Sequence, residues 1–283
     1  MSVTIICPLY NAENYLENLD NSLKMQKNVH IDQIKYILTE SKDNSEAILK
    51  SLGSDYKLIT KGEFSHSKTR EQAALEASGD ILVFITQDII IKDELWLYNL
   101  TKDIREGNCE GAFSRQICDN NTIEKYIREN NYPGVSRTVS KEDIPKLGLM
   151  TFFFSDASSA IKKSVFVELK GYDAKDLIIS EDMYIAHKMI MAGYRIKYSA
   201  ESKVIHSHKF TLKQLYRRYN DTGRFFKENS YLKQYGANES GFKLLKYVLK
   251  RAFEEKNFAV IFNVIPNFAA RFIGMKLGQK GIG

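Results

Sequence analysis

Strand-like and helix-like patterns alternate along the first 86 residues of the chain. Four short runs are continuously apolar and suit buried strands: 3–10, 34–40, 56–60 and 80–86. Three segments between them have the apolar spacing and end signals of helices: 12–24, 44–52 and 67–79. Continuously apolar strands that alternate with helices are typical of a parallel sheet covered on both faces. The pattern therefore predicts an α/β domain.

The pattern is less regular beyond residue 110. It predicts a strand at 111–117, an irregular polar segment at 118–150, and a further strand before a short helix near 163–169. A helix that ends at Gly193 and two strands that end at His208 complete this part. Because no Pro/Gly/Ser-rich linker interrupts it, we predict one domain over 1–210 and a helical extension over 211–283.

Polar residues follow the apolar runs where the predicted strands end. They are Pro8, Tyr10 and Asn11, then Glu40, Ser41 and Asp43, then Thr86, Gln87 and Asp88. In open α/β sheets, ligands bind beyond the carboxyl ends of the strands. Asp88 therefore need not be buried in the core, although it lies between two groups of isoleucines. The first predicted strand is not followed by G-x-G-x-x-G, which disfavours a dinucleotide-binding fold.

Three carboxylates lie at the ends of predicted elements: Asp88, Glu181 and Asp182. One of them could hold a divalent metal ion against phosphate oxygens, since Mg²⁺ needs few protein ligands. Another could remove a proton from a hydroxyl nucleophile. The alternative for Asp182, and for Ser180 beside it, is that each only caps the helix that follows.

Histidines and cations supply two further candidate sites. His206 and His208 alternate along a predicted strand, so both would point to one face, where either could complete a metal site with Asp88. The alternative is a hydrogen-bonded surface histidine. Lys68 and Arg70 lie in the first turns of a predicted helix, whose amino end would favour an anion. The alternative there is a solvated helix cap.

Charge is distributed unevenly along the 283 residues. The net charge is +6, but residues 201–283 contain 16 Lys and Arg against 6 Asp and Glu, a balance of +10. Basic and apolar residues alternate there at helical spacing, which suits helices lying on an anionic membrane surface. The alternative is a helical cap packed on the α/β domain, with a homodimer as one outcome. No nucleic-acid-binding motif accompanies the charge, so no nucleic-acid partner is predicted.

Other features of the sequence indicate a cytoplasmic protein. The three cysteines are far apart and form no C-x-x-C, which favours a reducing compartment over a disulfide framework or a structural zinc site. The first residues show no signal-peptide pattern, and no uninterrupted apolar run is long enough to predict a membrane-spanning helix.

Five blocks, in the same order, resemble family 2 glycosyltransferases, and within them the bacterial rhamnosyltransferase-like group. The most specific block is "FSHSKTREQAALEASGDILVFITQD", which is similar to the group's F-x-H-x-x-T-R helix and F-L-T-Q-D strand end. The other blocks are "IICPLYNAENYLENLDNSL", "TESKDNS", "FSDASSAIKKSVF" and "SEDMYIAHKMIMAGYRIKYSAESKVIHSH". The resemblance implies the GT-A fold, a Rossmann-like mixed sheet flanked by helices, with a C-terminal helical extension.

The resemblance also implies residue roles. Asp182 would be the base that deprotonates the acceptor hydroxyl, and Asp88 with His206 or His208 would bind Mg²⁺ or Mn²⁺. Thr86-Gln87-Asp88 stands where most members have D-x-D, so the metal would depend on Asp88, a histidine and the diphosphate. Glu40 replaces an aspartate that is common in the family. The nucleotide pocket would comprise Pro8, Tyr10, Asn11, Glu40, Asp43, Lys68, Arg70 and Gln87.

The implied reaction is an inverting transfer of a sugar from a nucleoside diphosphate to a hydroxyl. The subgroup points to L-rhamnose from dTDP-rhamnose and to a polysaccharide or polyprenyl-linked saccharide acceptor at the inner face of the plasma membrane. A function of another class stays open, because fold does not determine function. It is a catalytically silent protein that binds sugar nucleotides or glycans.

Overall fold

One mixed sheet runs through the computed structural model, which describes residues 1–236 and 238–282. Within those residues its eight strands lie in the order β3-β2-β1-β4-β7-β5-β8-β6. The strands are β1 (Val3–Leu9), β2 (Ile31–Thr39), β3 (Tyr56–Ile59), β4 (Ile81–Ile85), β5 (Gly111–Ile117), β6 (Arg137–Val139), β7 (Ser158–Lys162) and β8 (Ile196–Ile205).

Helices connect and follow these strands. They are α1 (Leu16–Lys24), α2 (Ser45–Ser51), α3 (His66–Leu75), α4 (Trp96–Arg105), α5 (Ile123–Asn131), α6 (Ile144–Leu147), α7 (Lys163–Glu168), α8 (Glu181–Met191), α9 (Leu212–Glu228), α10 (Asn238–Glu254) and α11 (Phe258–Lys280). Short 3₁₀ helices cover Lys141–Asp143, Gly148–Phe152 and Ser230–Tyr235. Ala237 and Gly283, both in the predicted extension 211–283, lie outside the described residues, as do the side chains of 238–240.

The alternation in the first 86 residues produces the predicted parallel strands. β1 lies between β2 and β4 and is parallel to both, and β3 is parallel to β2. Strand β4 is buried at every position, as a strand covered on both faces must be. The prediction of strands and helices here is confirmed, and polar residues at the carboxyl ends of β1, β2 and β4 meet at one edge of the sheet.

The other half of the sheet is antiparallel, so the mixed sheet that the resemblance implies is confirmed. β7 runs antiparallel to β4 and β5, and β6 runs antiparallel to β8. Helix α4, for which the sequence analysis made no assignment, packs beside this half. The buried Trp96 indole donates to the hydroxyls of Ser114 on β5 (3.1 Å) and Ser158 on β7 (3.2 Å).

Two local predictions are wrong. The segment 118–150 is not irregular throughout, because it contains α5, β6 and α6. Thr122 caps α5, and the buried side chains of Ile123, Tyr126 and Ile127 pack into one core cluster with residues of α10 and α11. The two strands predicted before His208 are the single strand β8, which ends at Ile205.

The described chain divides into two units. The first comprises 1–116, 134–142 and 151–206, and it contains a large apolar core formed by strands β1, β2 and β4 with helices α1, α2 and α4. The second comprises 117–133, 143–150 and 207–283, and its core lies between α5, α10 and α11. Two segments from within the predicted domain 1–210 thus group with the C-terminal helices.

Helix α11 is long and apolar enough to cross a membrane, judged by length and composition alone. Its most apolar window has a mean hydropathy of 1.5, and 28% of that window is buried within the protein. The helix is interrupted by Pro266 and includes the buried polar residues Asn267 and Arg271. The packing of the helix therefore decides whether its apolar side chains are buried or exposed.

Candidate active site

Asp88 and His206 form the centre of the candidate site. The backbone N–H and C=O of Ile90 exchange hydrogen bonds with those of Ile205 (2.8 and 2.9 Å), which ties the segment after β4 to the end of β8. Asp88 Oδ2 consequently lies 3.4 Å from His206 Nε2. Both belong to a group of carboxylate and imidazole ligands that could hold one metal ion.

The surroundings of His206 fix the orientation of its ring. Its ring is buried, and Nδ1 lies 2.9 Å from Gln116 Oε1, while Gln116 Nε2 donates to Ser155 Oγ at 2.7 Å. Since Gln116 Oε1 can only accept, Nδ1 donates to it, and Nε2 is the ring nitrogen that faces Asp88. With a neutral ring, Nε2 would present a lone pair to the Asp88 carboxylate, and a cation between the two acceptor atoms would stabilise that arrangement.

One expectation about the histidines is wrong. His206 and His208 do not alternate along a strand, because the ladder ends at Ile205 with its bridge to Ile90. His206 is the first residue beyond the strand. His208 follows two residues later, within the segment 207–283 of the second unit, and is partly buried. Its assignment as a metal ligand stays a prediction.

The loops after β1 and β2 are fastened to each other. Asn11, at a positive φ of 48°, donates its N–H to Ser41 Oγ (2.9 Å) and accepts from the N–H of Lys42 through Oδ1 (3.2 Å). Asp43 accepts from the N–H of Glu13 (3.0 Å) and from the Ser45 hydroxyl (2.6 Å). Burial alone would raise the pKa of Asp43, but these hydrogen bonds outweigh it and lower the pKa. The Asp43 carboxylate therefore links two loops of the predicted nucleotide pocket by hydrogen bonds.

Gln87 joins the β4 loop to the β1 loop. Its Oε1 accepts from the N–H of Tyr10 (2.7 Å) and its Nε2 donates to the Tyr10 carbonyl (3.0 Å). A carboxylate could not make both bonds, because it has no donor when ionised. This gives a physical reason for glutamine in Thr86-Gln87-Asp88, where it fixes the backbone that presents the Tyr10 ring.

The Tyr10 side chain is accessible beside a cation that the sequence analysis missed. The residue is 45% exposed, and Lys61 Nζ lies 5.2 Å from its ring centroid. A hydrogen bond with Lys61 lowers the pKa of the Tyr10 hydroxyl. Glu40 is exposed after β2, and Pro8 is partly exposed near the end of β1. An exposed aromatic face beside a lysine suits a nucleotide base and a phosphate group.

Helix α3 holds the two predicted cations differently. Lys68 is exposed, whereas Arg70 is buried and its Nη1 lies 3.4 Å from Glu181 Oε1. Ser65 caps the helix by accepting from the N–H of Lys68. The Ser65 hydroxyl also donates to Asp176 Oδ1 (2.7 Å), in the loop that leads to α8. The amino end of α3 thus supports α8 through side chains.

Asp182 is the second residue of α8. Its Oδ1 accepts from the N–H of Met183 at 2.7 Å, and the residue is partly exposed. Ser180 precedes the helix at a positive φ of 63° and makes no side-chain cap hydrogen bond, so the helix-cap alternative does not apply to it. Glu181 points to Arg70 instead, which anchors the helix end that carries Asp182.

A buried acid that the sequence analysis missed lies behind this helix end. Asp156 is 2% exposed and accepts from the hydroxyls of Ser159 (2.7 Å) and Tyr172 (2.8 Å). Burial raises the pKa of Asp156 to about 6, although the nearby Arg70 charge opposes the rise. The available signal was a lone carboxylate inside the apolar run "TFFFSDASSAI".

The chain is similar in sequence to two known proteins. The chain is 34% identical over 289 residues to the O-antigen chain rhamnosyltransferase RfbN of Salmonella typhimurium, covering 99% of this chain and 90% of that protein. It is 32% identical over 283 residues to the O-antigen chain rhamnosyltransferase WbaN of Salmonella anatum, covering 98% and 89%.

A solved structure shares the fold. The mannosyltransferase PcManGT from Pyrobaculum calidifontis, in complex with GDP-Man and Mn²⁺, aligns with a TM-score of 0.64 at 14% identity, covering 98% of this chain and 86% of that one. The sequence profile described as "Glycosyl transferase family 2" matches residues 4–170. The chain has the GT-A fold and belongs to glycosyltransferase family 2.

Proposed function

We propose that the protein transfers L-rhamnose from dTDP-rhamnose, with inversion, to a hydroxyl of a lipid-linked saccharide in O-antigen synthesis at the cytoplasmic face of the membrane. The proposed sugar and acceptor class rest on similarity to two O-antigen rhamnosyltransferases. The similarity extends over nearly the whole length of all three chains. The pairing of Asp88 with His206 supports the metal-assisted chemistry.

Asp88 and His206 would hold the divalent ion together with the donor diphosphate, and His208 is proposed as a further ligand. A carboxylate with imidazole nitrogen suits Mn²⁺ better than Mg²⁺, which prefers oxygen ligands. A bound divalent ion would neutralise the negative charge that develops on the leaving nucleoside diphosphate. The Gln116 hydrogen bond holds the His206 ring in the tautomer that such an ion requires.

The donor nucleotide is proposed to occupy the loops that follow β1 and β2 and the amino end of α3. Tyr10, Asn11 and Glu40 offer side chains to the base and ribose, and Pro8 and Lys68 border the same region. Three of the predicted residues would support the pocket indirectly, through contacts with other residues. Asp43 links two loops, Gln87 binds the Tyr10 backbone, and Arg70 pairs with Glu181.

Asp182 is proposed as the general base. The acceptor oxygen forms a bond to the anomeric carbon as the bond from that carbon to the diphosphate oxygen breaks. The hydroxyl proton passes to the Asp182 carboxylate, and the displacement inverts the configuration. The Arg70–Glu181 ion pair fixes the first turn of α8, so that the carboxylate is held in one place.

The test is nucleotide release with a panel of dTDP- and UDP-sugars in the presence of Mn²⁺ or Mg²⁺ and soluble analogues of lipid-linked saccharides as acceptors. We expect release and transfer with dTDP-rhamnose. Asp182→Asn should keep donor affinity and lose transfer by about 10²–10⁴-fold, the usual contribution of a general base. Asp221→Asn, on α9, is the matched control.

The outcomes separate the alternatives. Normal turnover by Asp182→Asn removes Asp182 from the mechanism. Donor binding by the wild-type protein without transfer to any acceptor favours a sugar-nucleotide-binding protein over an enzyme.

A further inference from the structure

Helix α11 exposes its apolar face. Its exposed large apolar side chains recur at helical spacing and form one stripe, which we call the outer stripe: Phe258 (62% exposed), Phe262 (81%), Ile265 (77%), Phe272 (64%) and Ile273 (49%). Lys276 and Lys280 are also exposed and continue the same line at the carboxyl end of the helix. Contiguous exposed apolar surface of this kind usually marks an interaction site.

The opposite face of α11 is buried and partly polar. Val260 and Val264 enter the core of the second unit, but further along the same face come Asn267 and Arg271. Arg271 donates to Asn267 Oδ1 (2.8 Å) and to the Tyr219 hydroxyl (2.7 Å), and it forms an ion pair with Glu124. A helix that buries an arginine and exposes three phenylalanines has the reverse of the amphipathic pattern expected on a water-facing surface.

The orientation of α11 is fixed by close packing. A Cβ atom at Gly278 would collide with the Asn220 backbone on α9, and one at Gly274 would collide with the Tyr216 carbonyl. Gly223 on α9 is equally close to the backbone of α11. Because only glycine fits at these contacts, the helix cannot rotate to bury the outer stripe while it stays packed on α9.

Charge indicates which partner the outer stripe takes. Helix α11 contains no Asp or Glu, and α10 adds the exposed Lys243 and Lys246 near the exposed Phe242, while Lys250 is paired with Glu254 on the same helix. A second copy of this chain would bring its own lysines and no acidic side chain of α11 to neutralise them. Anionic lipid headgroups neutralise lysines, and acyl chains accept phenylalanine and isoleucine.

We propose that the outer stripe of α11, with Lys276 and Lys280, docks into the interface of a bilayer that contains anionic lipid. The helix lies on the membrane and does not cross it, because its inner face stays occupied by the Arg271–Glu124 pair and the glycine contacts with α9. This docking is independent of the proposed sugar chemistry, which is tested separately by nucleotide release with a soluble acceptor.

Vesicle flotation tests the proposal on the full chain. We expect the wild-type protein to float with vesicles of phosphatidylcholine and phosphatidylglycerol and to bind pure phosphatidylcholine more weakly. The variant Phe262→Ser/Ile265→Ser/Phe272→Ser should lose about tenfold or more of its vesicle partitioning, since each side chain contributes burial in the interface. Circular dichroism confirms that both proteins are folded.

A matched control removes exposed apolar side chains elsewhere. Leu58, Val135 and Ile178 are 50%, 77% and 63% exposed, and all lie in the first unit. Leu58→Ser/Val135→Ser/Ile178→Ser should float like the wild type. Equal flotation of the outer-stripe variant and the wild type overturns the proposal, as does a wild-type protein that does not float.

Two further measurements isolate the cations and the depth of insertion. Lys276→Glu/Lys280→Glu should weaken binding to the anionic vesicles, and added salt should weaken wild-type binding. The single native tryptophan, Trp96, is fully buried, so Phe262→Trp introduces a reporter on the stripe. Its emission should shift to the blue and be quenched by brominated lipid, unlike that of Val135→Trp.

Light scattering examines the competing occupant. If the wild type is a dimer, the outer-stripe variant a monomer, and neither binds vesicles, the stripe joins two copies and the membrane proposal is wrong.

Discussion

At the scale of single residues, the buried pair of Arg70 and Glu181 supports the helix end that carries Asp182. The two groups are 3.4 Å apart, with side chains 4% and 11% exposed. Arg70→Met leaves the Glu181 carboxylate buried without its partner, so we expect the free energy of unfolding to fall by about 3–5 kcal/mol. Urea denaturation measures the change.

The double variant Arg70→Met/Glu181→Met is the control for this pair. Replacing both ions with apolar side chains of similar size removes the unpaired charge, so most of the lost stability should return. A double variant as unstable as the sum of the two single variants would contradict a direct interaction.

Asp156 should give the stability a specific pH dependence. Burial raises the pKa of its carboxyl from 3.8 to about 6 in the folded protein. The folded state therefore holds a proton that the unfolded state has lost, and this contribution to stability declines as pH rises from about 4 through about 6. Asp156→Asn retains an acceptor for Tyr172 and cannot titrate.

The measurement compares both proteins by urea denaturation at pH 5 and pH 7. The stability of the wild type relative to Asp156→Asn should decrease between the two values. Parallel changes in the two proteins would show that Asp156 is ionised throughout this range.

Candidate site residues could be selected from the sequence where they follow from position in the chain. Asp88 and Asp182 could be selected because each comes at the end of a recognisable element. The partners of Gln87 and Arg70 could not be read from the sequence, because their contacts with Tyr10 and Glu181 join segments 77 and 111 positions apart. The only sequence signal for Asp156 was its place in the run that follows three phenylalanines, whereas its burial and its bonds with Ser159 and Tyr172 are seen only in the structure.

At the scale of elements, the contact between α9 and α11 depends on glycine. Gly278→Ala would force a Cβ atom into the Asn220 backbone, and the two helices would have to separate. We expect a loss of stability of about 1–3 kcal/mol or more from this overpacking. Gly241→Ala is the control, because that α10 glycine is exposed with open space around its Cβ position, so alanine should stabilise by up to about 1 kcal/mol. Similar thermal melts for the two variants would contradict the close packing.

How well an element could be predicted depends on how far apart in the sequence its contacting residues lie. Strands β1 to β4 were predictable because each has a local apolar run and a helix beside it. The antiparallel direction of β7 was not, since its apolar pattern is the same in either direction and its neighbours β4 and β5 determine the pairing. Helix α5 has only a short apolar stripe, and the core it enters is built by residues more than 100 positions later.

At the scale of the whole molecule, chain order does not determine spatial grouping. The prediction of a domain over 1–210 followed the absence of a linker, but the segments 117–133 and 143–150 group with the C-terminal helices. The excess of basic residues after position 201 was visible in the sequence. The sequence left open whether the apolar face of α11 is exposed, since its pattern suits both a helix on a membrane surface and a helix packed on the α/β domain.

Donor and metal should stabilise the folded protein together. A ligand that binds only the folded state raises its stability by about 2.7 kcal/mol at 100 times its Kd. For a protein of this size that corresponds to a rise in Tm of about 5–10 °C. We therefore expect dTDP with Mn²⁺ to raise the Tm of the wild type by this order, and EDTA to remove the part that depends on the ion. Asp88→Asn should show the same smaller rise with and without Mn²⁺, because the carboxylate beside His206 has lost its charge. An undiminished Mn²⁺-dependent shift in Asp88→Asn would place the metal elsewhere in the protein.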